Sequence, residues 1–121
     1  MKKDLLLPAL LGALAVAFGA FGAHALEHRL TERALEVWDT ANRYHILHSL
    51  AVLIIQISAL KGLKKTKATL SLWIAGIVIF SGGLYFYALT GVKIGAILAP
   101  IGGLAFIGGW LSLVRCEFDD A

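Results

Sequence analysis

Charge is what this sequence has least of. Only 16% of its 121 residues are Asp, Glu, Lys or Arg, against about 25% in soluble domains. Four long stretches hold none at all: 5–26, 44–60, 68–91 and 94–114. Apolar runs of roughly 20 residues are long enough to cross the hydrocarbon core of a bilayer, so the scarcity excludes an ordinary soluble domain. It also argues against an ion pump or ion-coupled transporter, which places an ionisable side chain in mid-membrane. Cysteine is nearly absent, and Cys116, alone beyond the fourth stretch, can form no intramolecular disulfide. Of the two prolines, Pro100 falls in the middle of the fourth stretch, where a missing backbone donor predicts a kink or a loosened turn. There is no P-loop, G-x-S-x-G, H-E-x-x-H or C-x-x-C pattern. Nothing here announces an enzyme, and no cofactor is expected.

What is present is apolar: 59% of the residues are hydrophobic. The expected fold class is an all-α membrane protein, a four-transmembrane-helix bundle forming one domain over residues 1–121. Lys and Arg near span ends are held on the cytoplasmic side of a membrane. With four spans, Lys2, Lys3, Lys61, Lys64, Lys65, Lys67 and Arg115 fall on one side and Arg29, Arg33, Arg43 and Lys93 on the other. This predicts a multi-pass protein of the cell inner membrane with both termini cytoplasmic. The basic "KGLKKTK" (61–67) is read as a short topology-setting loop, so the bilayer and no nucleic acid is the expected partner. "AHA" at 23–25 has the A-x-A form of a signal-peptidase site, but the apolar run before it is long for a signal peptide and is read as a retained helix.

The connection 27–43 is long enough to hold structure of its own. Leu30, Ala34, Val37, Trp38 and Ala41 recur at helical spacing, with charged residues between them. Thr31 is a candidate N-cap. The pattern predicts a short amphipathic helix over 31–42, lying along the outer surface between spans one and two and anchored by Trp38. Inside a membrane, small residues that let backbones approach mark helix interfaces. Ala15, Gly19 and Ala23 make one such seam and Gly95, Ala99 and Gly103 another, which predicts that spans one and four pack together.

Chemistry centres on histidine. His24 and His28 are four apart, His45 and His48 three apart, so each pair can share a helix face. Histidines from facing helices can hold a metal or haem. That makes His24, His28, His45 and His48 candidate metal ligands, and His24, His48 and Tyr85 candidate contacts for a haem or quinone near the outer surface. No aspartate, glutamate or cysteine lies inside a span to complete a shell, however. The leading expectation is structural and metal-free: His24 and His48 at matching depth on adjoining helices, bonded near the start of the surface helix, with His28 and His45 closer to water.

Four ordered motifs, "GAFGAHAL" (19–26), "WDTANRYHILHSLAVL" (38–53), "FSGGLYFYALTG" (80–91) and "APIGGLAFIGGW" (99–110), carry a resemblance. Together they resemble the small bacterial inner-membrane family known as domain of unknown function 423, the YgdD/YwdK-like proteins, which has a short mitochondrial relative in animals. His24, Trp38, Tyr44, His48, Gly82, Tyr85, Pro100, Gly102 and Gly103 fall in matching positions. Gly83 and Ala99 stand where the family pattern has hydroxyl residues. The resemblance implies a four-helix membrane protein whose biochemical function is not established, and it supplies no catalytic residue. A small structural or accessory component, acting by self-association or within a larger membrane complex, is the leading expectation. Cofactor binding through the histidines and an oligomeric small-molecule pore are the alternatives.

Overall fold

The computed structural model describes residues 2–119, so residues 1, 120 and 121, at the ends of the expected domain, lie outside the described residues. The helices are α1 (Lys2–His24), α2 (Glu32–Leu60), α3 (Lys67–Gly76), α4 (Gly82–Thr90) and α5 (Lys93–Ser112). One π-helical turn, Ile77–Ser81, joins α3 to α4 within span three, and a 3₁₀ turn, Leu113–Arg115, closes span four. Four helical stretches, Leu5–His24, Glu32–Leu60, Lys67–Thr90 and Lys93–Arg115, are long and apolar enough to cross a membrane. Leucine, isoleucine and valine side chains face outward along all four, as a lipid-solvated surface requires.

Residues 32–42 are helical and Thr31 caps them as expected: its hydroxyl accepts from the Ala34 amide at 3.1 Å. They do not form a separate surface helix. From Glu32 the backbone runs unbroken for 29 residues to Leu60, about 44 Å at 1.5 Å per residue, which exceeds the roughly 30 Å hydrocarbon core. The reason is in the sequence, since no glycine or proline interrupts 32–60 and the change from mixed charge to apolar residues alters the surroundings of a helix, not its continuity. Trp38 is accordingly no headgroup anchor. It is 5% exposed, buried with Leu26, Val37, Ala41, Tyr85 and Ala88 in one of two hydrophobic clusters. The second cluster, Ala51, Val52, Ile55, Trp73, Ile77 and Phe106, fills the other half of the bundle.

The expected pairing of spans one and four is also corrected. α1 packs on α2, and α5 packs on α3, the π turn and α4; no face of comparable extent joins α1 to α5. The small-residue seams exist but with another period. Buried positions on α5 are Gly95, Ala99, Gly102, Phe106 and Gly109, a repeat of four and three that averages 3.5 and suits left-handed packing. A Cβ on Gly102 would lie 2.3 Å from the Phe80 nitrogen, and one on Gly95 would lie 2.3 Å from the Gly83 carbonyl oxygen. Gly103, by contrast, has no neighbour nearer than 3.8 Å. On α1 the close approaches are Gly19 to Asn42 and Gly22 to Trp38, while Ala23 faces outward. Pro100 also faces outward, and α5 continues through it without interruption. The irregular turn falls in span three instead.

At one end of the bundle the 61–66 connection meets the chain end. Lys64 and Glu117 exchange backbone hydrogen bonds, Lys65 pairs with Glu117 at 2.9 Å and Lys64 with Asp119 at 2.6 Å. Leucine at position 102 should overpack the crossing of α5 over span three, lowering stability by ~3 kcal/mol, the upper end of overpacking costs. Gly103→Leu should be tolerated. Thermal unfolding in detergent checks both, and equal tolerance would show the crossing to be misplaced.

Candidate functional site

Trp38, Asn42, His45 and Ser49 recur at intervals of four, three and four, so α2 presents them on one face. That face meets α1 and α4. The Trp38 indole Nε1 donates to the Phe18 carbonyl at 2.9 Å. The Asn42 amide donates to the Ala15 carbonyl at 2.7 Å and to the Tyr85 hydroxyl at 3.1 Å. Having accepted from Asn42, Tyr85 has its own hydrogen left for His45 Nδ1, 2.9 Å away, which assigns the remaining proton of a neutral imidazole to Nε2. That Nε2 is turned toward the Leu11 carbonyl of α1 in a geometry short of a hydrogen bond. Ser49 completes the row by donating to the His45 carbonyl at 2.8 Å. Phe18, Trp38 and Tyr85 pack ring on ring around the chain of polar groups, with centroids 4.5 to 5.9 Å apart.

A second polar contact lies deeper along α2. His48 Nδ1 meets the Tyr44 carbonyl at 2.8 Å, and the Trp110 Nε1 donates to His48 Nε2 at 3.0 Å. An indole can only donate, so His48 is neutral with its proton on Nδ1. Its ring stacks on Phe106 at 3.7 Å and 14°. Both nitrogens are thus committed inside the protein. Beside this group an apolar cleft of about 330 Å³, lined by Tyr44, Phe80, Gly103 and Trp110, opens toward lipid.

The structure therefore separates the four candidate histidines. His24 and His28 are exposed at the end of α1 and in the turn after it, whereas His45 and His48 are 3% and 2% exposed. Asn42 lies opposite Ala15, so His24 and His48 run in opposite directions from that level. About fifteen helical steps separate them, roughly 20 Å of axis. His24 and His48 do not adjoin, and Tyr85 belongs with His45. Among the described residues no three His, Cys, Asp or Glu side chains converge as metal ligands would. The expectation that His45 lies nearer water is reversed, because α2 begins at Glu32, more than three turns earlier, and His45 faces Phe18 and Tyr85 in the bundle. His48 bonds the Tyr44 carbonyl and the Trp110 indole, not partners near the start of α2 as expected.

Sequence reasoning passed over Asn42 and Trp110. Asn42 was findable, since it shares a helix face with Trp38 and His45 and is the one amide among them. Trp110 was not, because its partner lies 62 residues away.

A cleft of about 290 Å³ between α1 and α2 reaches down to Asn42 past Glu27, Trp38 and Asp39. The chemistry of the seam is that of a hydrogen-bonded clamp: one amide and one phenol joining three helices. Asn42→Ala removes two interhelical bonds, each worth about 0.6 kcal/mol on average and up to about 1.7 in membranes, so a loss of about 1 to 3 kcal/mol is expected. His24→Ala should stay within about 0.5 kcal/mol, as exposed substitutions do. Unfolding in mixed micelles compares the two, and a larger effect at His24 would contradict the geometry.

Residues 18–103, which carry Trp38, Asn42, His45, His48 and Tyr85, match the family described as Protein of unknown function (DUF423). A UPF0382 membrane protein of Haemophilus influenzae is 42% identical over 117 residues, covering 97% of this chain and 94% of the relative. The UPF0382 membrane protein YwdK of Bacillus subtilis is 40% identical over 116 residues and 94% of each chain. One from Staphylococcus epidermidis is 43% identical over 116 residues, 94% of this chain and 93% of its own. No solved structure matches. With four membrane-length helices and likeness along almost its whole length, this chain belongs to the DUF423 family and is an integral membrane protein.

Proposed function

We propose that the protein is a small structural or accessory component of the bacterial inner membrane, acting by self-association or by docking on a larger membrane partner, with both termini cytoplasmic. The observation that carries this reading is the outer face of α1. Ala9, Ala13 and Ala17 face outward at the four-residue spacing that lets a second helix backbone come close, and Ala20, three residues on, faces outward too. Gly12 lies beside them, and a Cβ built there would meet nothing within 4 Å. A cleft of about 340 Å³ runs along this face between Ala9, Gly12 and Val16 on α1 and Ile46, Leu50 and Leu53 on α2. The cleft opens outward where α1 and α2 meet, leaving a space that the monomer does not fill. It is shaped to receive a helix from outside. The buried polar groups point to the same kind of role, since Trp38, Asn42, His48 and Tyr85 bond one helix to another.

Gly12→Leu should leave the monomer folded and reduce self-association by about tenfold or more, the change expected when helix interfaces lose close backbone approach. Analytical ultracentrifugation in density-matched detergent, with crosslinking in native membranes, measures this. Unchanged assembly by both methods would remove the proposal's main support.

The orientation rests on the uneven sharing of basic residues between the two ends and on the meeting of the 61–66 connection with residues 117 and 119 at one end. A reporter fused after residue 121, outside the described residues, should be active only as a cytoplasmic fusion; a signal from a periplasmic reporter alone would invert the topology.

A further inference from the structure

A groove of about 320 Å³ lies between the first turns of α2 and the end of α4. Arg29 and Arg33 stand at its rim, and Leu30, Val37, Tyr87 and Ala88 form its wall. No carboxylate lines it. Arg33 reaches Glu36 at 3.4 Å with both side chains largely in the open, a weak and solvent-screened pair. Arg29 makes no ion pair among the described residues, yet its backbone is fixed: its amide donates to the carbonyl of the buried Leu26 at 3.0 Å. Val37 and Ala88 are themselves buried, so the wall that descends from the two guanidinium groups is made by the bundle core.

We propose that this groove binds an anionic phospholipid, with Arg29 and Arg33 on the headgroup phosphate and the first acyl carbons along Leu30, Val37 and Ala88. Guanidinium groups bind phosphate oxygens in a fork geometry. The apolar wall decides the source of the phosphate, because a free phosphate ion has no use for it and a lipid does. The other basic cleft, at the opposite end of the bundle, makes a useful contrast. It measures about 190 Å³ and gathers Lys65, Lys67 and Arg115, but Lys65 is held by Glu117 at 2.9 Å and Ala68 is the one apolar side chain in its lining. It draws anions by charge alone.

The full chain, purified from native membranes and exchanged into nanodiscs of mixed phosphatidylglycerol and phosphatidylethanolamine with matched acyl chains, provides the test. Native mass spectrometry should show phosphatidylglycerol retained in preference. Arg29→Gln with Arg33→Gln, both at exposed positions, should lower that retention by roughly tenfold through loss of two charge-assisted contacts. Ala34→Phe, which fills the groove without altering charge, should do the same. Lys67→Gln with Arg115→Gln should leave it unchanged. The proposal is overturned if the double arginine variant, eluting as wild type does, keeps its phosphatidylglycerol. It is equally overturned if the Lys67 and Arg115 variant is the one that loses it, or if excess inorganic phosphate displaces the lipid completely.

Discussion

In hydrocarbon an amide that is not bonded to protein has nothing else to bond, and Asn42 turns that constraint into architecture. Its one side chain reaches the Ala15 carbonyl on α1 and the Tyr85 hydroxyl on α4, so three helices are fixed at a single level. The other contacts of the seam follow from it. Trp38, one turn earlier, finds the Phe18 carbonyl; His45, one turn later, accepts the hydrogen bond that the Tyr85 hydroxyl donates. None of these side chains has an alternative partner in lipid, and any sliding of α1 along α2 would break several bonds together. The polar row thus sets register, a job that the apolar surfaces around it cannot do, since leucine on alanine packs about as well one turn along.

Span four is positioned by the opposite device, removal of side chains. Gly95 and Gly102 bring α5 against the backbone of span three, while Gly109 leaves room for the Trp73 ring. The bundle is therefore built as two unlike halves. One is joined through hydrogen bonds between α1, α2 and α4; the other is joined through close contact of α5 with span three, supplemented by the Trp110 to His48 bond. α2 and span three run through both halves, which is why Tyr85 and Trp73, on one span, serve different clusters.

How much of this was legible in the sequence depended on the length scale of each signal. Spans were legible because each is a run of about 20 residues without charge, and Thr31 as a cap because its signal is local. Interfaces were harder. Small residues on α5 fit a four-residue spacing through Gly103 as readily as an alternating four and three through Gly102, and only the partner helix decides between them. The histidines were misjudged for one reason: a shift in composition near Arg43 reads as a boundary between surface and span, although nothing between Glu32 and Leu60 can end a helix. Once α2 is continuous, His45 and His48 move inward and part from His24. Asn42 and Trp110 bond residues that the sequence places far away, and no spacing rule along one helix reaches that distance.

The π turn at Ile77–Ser81 is a matter of phase. Buried residues on span three run Thr69, Trp73, Gly76, Ile77, Ser81, Tyr85 and Ala88, and Thr69, Trp73, Ile77, Ser81 and Tyr85 form one row with a strict interval of four. On a regular α-helix such a row drifts about 40° at every step, and the π turn at Ile77–Ser81, which holds one extra residue, takes up that drift. Each residue of an α-helix advances about 100° around its axis, so without that extra residue everything beyond it would be rotated by about that angle. Leu84 and Tyr87 would then occupy the directions of Tyr85 and Ala88, and the phenol that meets Asn42 and His45 would face elsewhere. Span three is in effect two helices with separate faces, spliced by one surplus residue, and the hydrogen-bonded half of the protein exists only because the count through residues 77–81 is one greater than a regular helix would hold.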